Sequence, residues 1–185
     1  MKPFSYVLLP SAFDTLGIVW QETPAGPKAY RVVLPDKHTS VQDIIQRTFG
    51  DAAQQSCTVI MELGERIQRF LKGEAIGFDL DITALERCSE FQKHVLLAEY
   101  DIPRGWVSTY SRIARHLGIP GGARAVGRAL ATNPFPVIIP CHRAVRANGE
   151  LGGFQGGQRM KRALLEFEGL EFSHTGKVRT NKIYY

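Results

Sequence analysis

The stretch NPFPVIIPCHR, residues 133–143, decides both the fold and the chemistry predicted for this chain. Its apolar run, Val137 to Ile139, is typical of a buried strand. Cys141 follows where that strand would end, directly before His142 and Arg143. Imidazole and guanidinium groups generate or stabilise a thiolate, so the stretch predicts a reactive cysteine at a turn. An inert buried thiol is the alternative interpretation of a single cysteine.

Two helical segments precede this stretch. Thr109 can cap a helix over residues 110–117, the sequence GIPGG interrupts it, and a second helix covers 123–131. The pair is a helix-turn-helix candidate, although such patterns have many false positives. The second helix, ARAVGRALA, is built from Gly and Ala around two arginines, so its backbone can approach a partner closely. Packing inside a core and entry into a DNA groove, with Arg124 reaching among the bases, both fit it.

The rest of the chain divides into three predicted parts. Up to residue 82, β-rich runs near 6–9, 17–21 and 30–34 precede helical patterns at 40–49 and 59–71, and 76–83 is predicted to be an extended linker. From Glu86 the pattern is mostly helical, and a glycine-rich loop at 148–157 leads into a last helix, 158–168. We therefore predict an α+β protein with an N-terminal α/β module (1–82), a mostly helical domain carrying the helix-turn-helix and the cysteine-bearing turn (83–170), and a C-terminal extension (171–185).

Composition narrows the function classes. The chain has 185 residues, 44% of them hydrophobic, and a formal net charge of +5, which suits a polyanionic partner without proving one. Three cysteines without a CxxC pair indicate a reducing compartment, and the first apolar run is too short for a signal peptide or a membrane span. We expect a cytoplasmic monomer, nucleoid-associated if prokaryotic, with no membrane partner, no metal and no cofactor.

Six ordered segments resemble the O6-alkylguanine-DNA alkyltransferase family, the methylated-DNA–protein-cysteine methyltransferases. They are FQKHVL, STYSRIA, GARAVGRAL, NPFPVIIPCHR, GGFQGG and LLEFEG, and they span about half of the chain, from Glu86 to Leu170. Six segments in order are far more specific than any one of them. The resemblance implies direct-reversal DNA repair: an O6-alkylated guanine is flipped out of double-stranded DNA, and its alkyl group passes irreversibly to Cys141 in a single turnover.

The resemblance also implies a catalytic set. Cys141 is the alkyl acceptor, His142 withdraws its proton through a bridging water, and Glu168 orients His142. Tyr110 donates its phenol proton toward guanine N3. Asn133 ties the helix-turn-helix to the cysteine turn.

The implied pocket for the flipped base has walls from Leu130, Pro136 and Phe154. Its backbone contacts are the carbonyls of Cys141 and Ala144 toward the guanine amino group and the N–H of Gln155 toward O6, with Gly156 among the glycines that give the loop its freedom. Arg124 is implied to fill the vacated stack. The implied DNA contacts are Tyr110, Ser111, Ala123, Arg124 and Gly127.

Two departures and three alternatives stay open. Gln155 stands where some relatives have serine and Phe154 where they have tyrosine, so the size of the accepted adduct is undecided. A non-catalytic lesion sensor, a helix-turn-helix regulator with a structural cysteine, and a thiol hydrolase that turns over are the alternatives. The intact cysteine weighs against the first and the Gly/Ala-rich helix against the second.

Overall fold

The structure is a computed structural model that describes residues 3–185, so the first two residues of the predicted N-terminal module lie outside the described range. These residues form two compact units. The first contains the residues up to Arg87 together with Pro134–Ile138, and the second contains Cys88–Asn133 and Ile139–Tyr185. The mixed α+β class is confirmed. The domain boundaries at 82 and 170 stay predictions.

A four-stranded sheet and two helices make up the first unit. In the sheet order β3-β2-β1-β4, the first three strands pair antiparallel and β4 lies parallel to β1. Gly26, with a φ of 101°, supplies the left-handed residue that the tight β2–β3 turn requires. Ser40 caps α1 by accepting the Asp43 N–H. The elements are β1 (Ser5–Leu9), β2 (Leu16–Thr23), β3 (Gly26–Val33), α1 (Val41–Phe49), β4 (Ala53–Gln54) and α2 (Thr58–Leu71).

The prediction of an extended linker at 76–83 is wrong. Leu80–Ile82 form one turn of 3-10 helix, and Thr83 bridges to Ala29 of β3. Phe78 is buried, with its ring centroid 5.8 Å from that of Phe70 on α2. The apolar contacts of Phe78 therefore hold this segment against the first unit.

The predicted strand at 137–139 is also wrong. Val137 and Ile138 form a turn, and Val137 has a φ of 77°, in the left-handed region that β-branched residues rarely adopt. The segment is nonetheless buried as predicted, with Ile138 and Ile139 at 2% and 0% exposure. An apolar run reports burial, and it cannot by itself distinguish a strand from a buried turn.

The second unit is mostly helical. Its predicted helices are confirmed, and their ends differ by no more than two residues from the predicted ones. Helices α4 and α5 pack on each other, and α3 packs on α5. Ser89 caps α3 and Thr109 caps α4. The elements are α3 (Glu90–Tyr100), β5 (Ser108–Thr109), α4 (Tyr110–His116), α5 (Ala123–Ala131), β6 (Ala144–Val145) and α6 (Gly157–Phe167).

Residues 171–185, for which the sequence predicts no function, pack on the second unit. A hairpin of β7 (Glu171–Phe172) and β8 (Val178–Arg179) covers a buried apolar cluster that includes Val107 and Leu165. Backbone hydrogen bonds from Val107 N to Lys182 O and from Tyr184 N to Val107 O then extend the contact to the start of β5. The segment therefore supports the strand that leads into α4.

Candidate active site

Cys141 begins a turn of 3-10 helix, Cys141–Arg143, directly after Pro140. Backbone hydrogen bonds of 2.8 Å, from Cys141 N to Ile139 O and from Arg143 N to Pro140 O, define this turn. Cys141, His142 and Arg143 are all buried. Cys141 therefore lies in a turn, as predicted, although no strand precedes it.

A cavity of about 390 Å³ opens onto Cys141 within the second unit. This volume lies in the usual range for small-molecule sites. Helix α5, the start of α4 and the glycine-rich loop form its walls. The lining residues are Tyr110, Gly127, Leu130, Ala131, Cys141, Arg146, Gly152, Gly153, Phe154 and Gln155.

Six of the residues predicted for the site meet at this cavity, and several do not. Tyr110, Gly127, Leu130, Cys141, Phe154 and Gln155 line it. Pro136 belongs to the first unit, and the remaining predicted contacts lie outside the lining. Those outside it are Ser111 on α4, Ala123 and Arg124 on α5, Ala144 on β6, and Gly156 before α6.

The Cys141 thiol is protonated in the resting site. Burial raises the pKa of Cys141 to about 12, a hydrogen bond from the Asn133 side chain lowers it, Glu99 raises it and Lys161 lowers it. Asn133 is itself fully buried, and its Nδ2 also donates to Ile139 O at 3.1 Å. Asn133 thus connects the end of α5 to the cysteine turn, as the resemblance implies.

Glu168 lies at the centre of a buried ionic network. Its Oε1 is 2.9 Å from His142 Nε2 and 2.8 Å from Arg143 Nη2, while its Oε2 accepts from Arg143 Nε at 3.0 Å and from Gly105 N at 3.2 Å. Burial alone would raise the pKa of Glu168, but the hydrogen bonds from His142 and Arg143, together with the charge on Arg143, lower it to about 2. Burial lowers the pKa of His142. An ionised carboxylate therefore holds a neutral imidazole, which is the form that can accept a proton.

Tyr110 reaches the cavity from the first turn of α4. Burial raises its pKa to about 12, with further raising by Glu99 and Cys141, so the phenol stays protonated. The glycine loop approaches it closely, because a Cβ at Gly152 would lie 2.6 Å from Tyr110 Oη. Gly152 also has a φ of 70°, so both the space and the backbone require glycine there.

Gln155 joins the glycine loop to the end of α5. Its side-chain Nε2 donates to Asn133 O at 2.6 Å. Phe154 stands beside it in the cavity wall, and its ring meets that of His142 edge-on, with the centroids 6.3 Å apart. These are the two positions at which the sequence departs from the family pattern, and both shape the pocket.

Three charged groups of the second unit carry no motif and were not predicted from the sequence: Arg146, Glu99 and Lys161. Arg146 lines the cavity, and Glu99 and Lys161 are fully buried. The helical spacing of Glu99 and Lys161 indicates their burial from the sequence alone. Glu99 follows the buried pair Val95 and Leu96 by four and three positions, and Lys161 precedes Leu164 and Leu165 by the same intervals, so both charges lie on buried helix faces.

Basic side chains mark the outer face of α5. Arg124 and Arg128 are exposed, whereas Val126, Ala129 and Leu130 are buried. Gly127 passes close to Tyr110, since a Cβ there would lie 3.9 Å from the tyrosine ring. The helix therefore presents arginines outward while its small residues face the site.

The structure offers neither a metal site nor a membrane-spanning helix in the part it describes. Among residues 3–185, no group of three or more His, Cys, Asp or Glu side chains could hold a metal ion. No helix in the same range is long and apolar enough to cross a membrane.

Comparison with known proteins gives four informative matches. Residues 90–170 match the family model for the DNA-binding domain of 6-O-methylguanine DNA methyltransferase. A methylated-DNA–protein-cysteine methyltransferase of Methanothermobacter thermautotrophicus is 44% identical over 111 residues, which is 60% of this chain and 62% of that relative. The chain thus aligns with about three fifths of that relative's length.

A second relative and a solved structure extend the match. The methylated-DNA–protein-cysteine methyltransferase of Methanosarcina acetivorans is 40% identical over 108 residues, which cover 58% of this chain and 68% of that protein. The crystal structure of Mycobacterium tuberculosis OGT in complex with DNA is 28% identical with a TM-score of 0.71, covering 89% of this chain and 92% of that one. The chain belongs to the methylated-DNA–protein-cysteine methyltransferase family.

Proposed function

We propose that this protein repairs DNA by direct reversal, accepting the alkyl group of an O6-alkylguanine on Cys141 once and irreversibly. The observation that carries the proposal is the position of Cys141 beside a cavity of about 390 Å³, next to a neutral imidazole held by an ionised carboxylate. A nucleophilic thiol needs such a proton acceptor close by. Family membership supports the same chemistry.

The transfer is a displacement at carbon. His142 takes the Cys141 proton through a bridging water, and Glu168 stabilises the imidazolium that forms. The sulfur lone pair then forms the S–C bond, while the electron pair of the C–O6 bond leaves with guanine. Tyr110 donates its phenol proton toward guanine N3 as charge develops there. The substrate brings its own activated group, so no cofactor is needed, and no step regenerates the thiol.

Access to the alkyl carbon requires base flipping. Extruding a nucleotide from the stack costs a few kcal/mol, and less for a poorly paired lesion. Arg124, exposed in the first turn of α5, fills the vacated stack, and Ser111, Ala123 and Gly127 complete the contact with the groove. The helix-turn-helix domain thus binds DNA and carries the acceptor, and the protein acts as a monomer.

The flipped base is held mainly by the loop backbone. Leu130 and Phe154 form apolar walls, and the Gln155 N–H points to O6. The contacts of Pro136, Ala144 and Gly156 belong to the same proposal on the strength of the family pattern. We place the reaction in the cytoplasm, at the nucleoid in a prokaryote, because unpaired cysteines suit a reducing compartment.

A transfer assay tests this function. The protein is incubated with duplex DNA carrying labelled O6-methylguanine, and peptides are analysed by mass spectrometry. We expect one label per protein on the Cys141 peptide and none on the peptides of Cys57 and Cys88, which serve as internal controls. The Cys141→Ala variant should bind the DNA and leave the label on it. Lesion binding without transfer by the wild type would favour the sensor, and many turnovers would favour the hydrolase.

A further inference from the structure

A buried carboxyl group outside the proposed reaction lies beneath the active site. Glu99, near the end of α3, has 0% exposure, and no side chain among residues 3–185 forms a hydrogen bond with its carboxyl group. An unpaired buried carboxylate is costly, so the site favours the neutral acid. Burial accordingly raises the pKa of Glu99 to about 8.

The groups facing Glu99 come from every element that surrounds it. Lys161 of α6 and Arg143 of the cysteine turn act on it with positive charge, and the Ala144 backbone favours its ionised form. Glu99 in turn raises the pKa of Cys141, Tyr110 and Tyr185. Helix α3 packs directly on the turn that carries Cys141. Glu99 is therefore coupled to the sulfur without lining its cavity.

Lys161 is the second member of this cluster. It too is fully buried, and its Nζ donates to Ala144 O at 2.6 Å and to Gly153 O at 3.2 Å. These bonds fix the ammonium group between the cysteine turn and the glycine loop. Burial lowers the pKa of Lys161 to about 8, and both Cys141 and Glu99 act to raise it. One buried positive charge thus faces two groups that can become anions.

We propose that Glu99 is a positioning residue that controls the ionisation of Cys141, because its buried carboxylate, once ionised, opposes formation of the thiolate that the charge on Lys161 favours. This role rests on the proposed function of Cys141 as the acceptor. When Glu99 is protonated, Lys161 is available to stabilise the thiolate. When Glu99 is ionised, its negative charge opposes the loss of the thiol proton.

The test uses a small electrophile, so that it does not depend on DNA repair. The rate of iodoacetamide modification at Cys141 is measured by mass spectrometry from pH 6 to 10 in the wild type, in Glu99→Gln and in Glu99→Leu. Below pH 7 the variants should match the wild type, because Glu99 is then neutral. Above pH 9 they should react roughly three- to tenfold faster, since a like charge nearby shifts a pKa by about half a unit to one unit or more.

The pH dependence of the rate ratio decides the outcome. A purely structural role for Glu99 predicts a ratio that does not change with pH, and that result would overturn the proposal, as would slower modification of both variants above pH 9. If Glu99→Gln and Glu99→Leu give the same rates, the effect comes from the loss of the charge and not from the shape of the new side chain. Cys57 and Cys88 should keep wild-type rates in each variant.

Lys161→Met provides a check of opposite sign. It should slow Cys141 modification most below pH 8, where wild-type Lys161 is charged, and the difference should shrink above that pH. A difference that grows with pH would contradict the stabilisation of the Cys141 thiolate by the charge on Lys161. If wild-type protein transfers the alkyl group from DNA while the Glu99 rate ratio stays flat, this inference fails and the proposed function stands. If the Glu99 rate ratio changes with pH but no alkyl group is transferred from DNA, the proposed function fails and the effect of Glu99 on Cys141 stands.

Discussion

Replacing Glu168 by glutamine should destabilise the protein strongly. The substitution keeps the size of the side chain and one acceptor oxygen, but it removes the charge that Arg143 contacts through Nε at 3.0 Å and Nη2 at 2.8 Å. The Arg143 and Glu168 side chains are 10% and 1% exposed. Removing one partner of a buried ion pair leaves the other charge uncompensated and costs about 3 to 5 kcal/mol. We expect a loss of that size in the free energy of unfolding at pH 7.

Glu166→Gln is the matched control, two residues earlier. Glu166 pairs with Arg162 at 2.9 Å, as close as the buried pair, but both side chains are nearly half exposed. Exposed pairs of this kind contribute about 0.3 to 0.5 kcal/mol. Since chemistry and pair distance are alike, the difference between the two variants measures the effect of burial.

Urea denaturation followed by circular dichroism measures both losses. The wild-type advantage over Glu168→Gln should be complete above pH 4.5 and disappear as the pH falls toward 2, because the pKa of Glu168 is lowered to about 2 in the folded state. Adding Arg143→Met to Glu168→Gln should recover part of the stability, since it removes the unpaired charge. A loss no larger than that of Glu166→Gln, or one unchanged across this pH range, would refute the reasoning.

Three further predictions concern the pocket and the charges beneath it. Tyr110→Phe should slow alkyl transfer by about tenfold or more, and it should weaken DNA binding less; equal losses would remove the proton-donor role. Gly152→Ala should lower the free energy of unfolding by about 1 to 2 kcal/mol through its left-handed backbone and the contact with Tyr110, whereas Gly153→Ala, with open space at its Cβ, should change it by less than about 0.5 kcal/mol. Glu99→Gln should raise the thermal midpoint at pH 8 more than at pH 5, since a raised carboxyl pKa makes the wild type lose stability as pH rises from 4.5 to about 8; an equal effect at both values would contradict this sign.

Local sequence signals predicted those parts of the fold that local chemistry determines. Thr109 accepts the Arg112 N–H at the start of α4, which is the capping interaction that its position indicates. Gly118 and Gly121 adopt positive φ between the two helices, as the break in the pattern requires. Periodicity failed where tertiary contacts override local preference, as at Val137, which is held in a left-handed conformation within a buried turn.

The site was predicted unevenly for a related reason. Cys141 and His142 were predicted from the local stretch and Glu168 from the family resemblance, and the structure brings the last two within 2.9 Å of each other across 26 positions of sequence. Glu99 and Lys161 carry no motif, and charged residues on a helix are usually solvated. Only their helical spacing from buried neighbours distinguishes them from solvated charges. That signal is clear when the structure shows which helix faces are buried.

Burial of Cys141 suits the proposed function, in which the protein reacts only once. Because burial raises the pKa of Cys141 to about 12, the thiol form dominates at pH 7. Oxidants and stray electrophiles act on the thiolate, so the resting site resists losing its single equivalent. The same burial means that ionisation must be assisted when a base occupies the cavity. His142 supplies the proton acceptor, the Asn133 side chain a hydrogen bond, and Lys161 a compensating charge. If the ionised Glu99 carboxylate opposes this ionisation, the protein sets its reactivity through a residue that does not line the cavity.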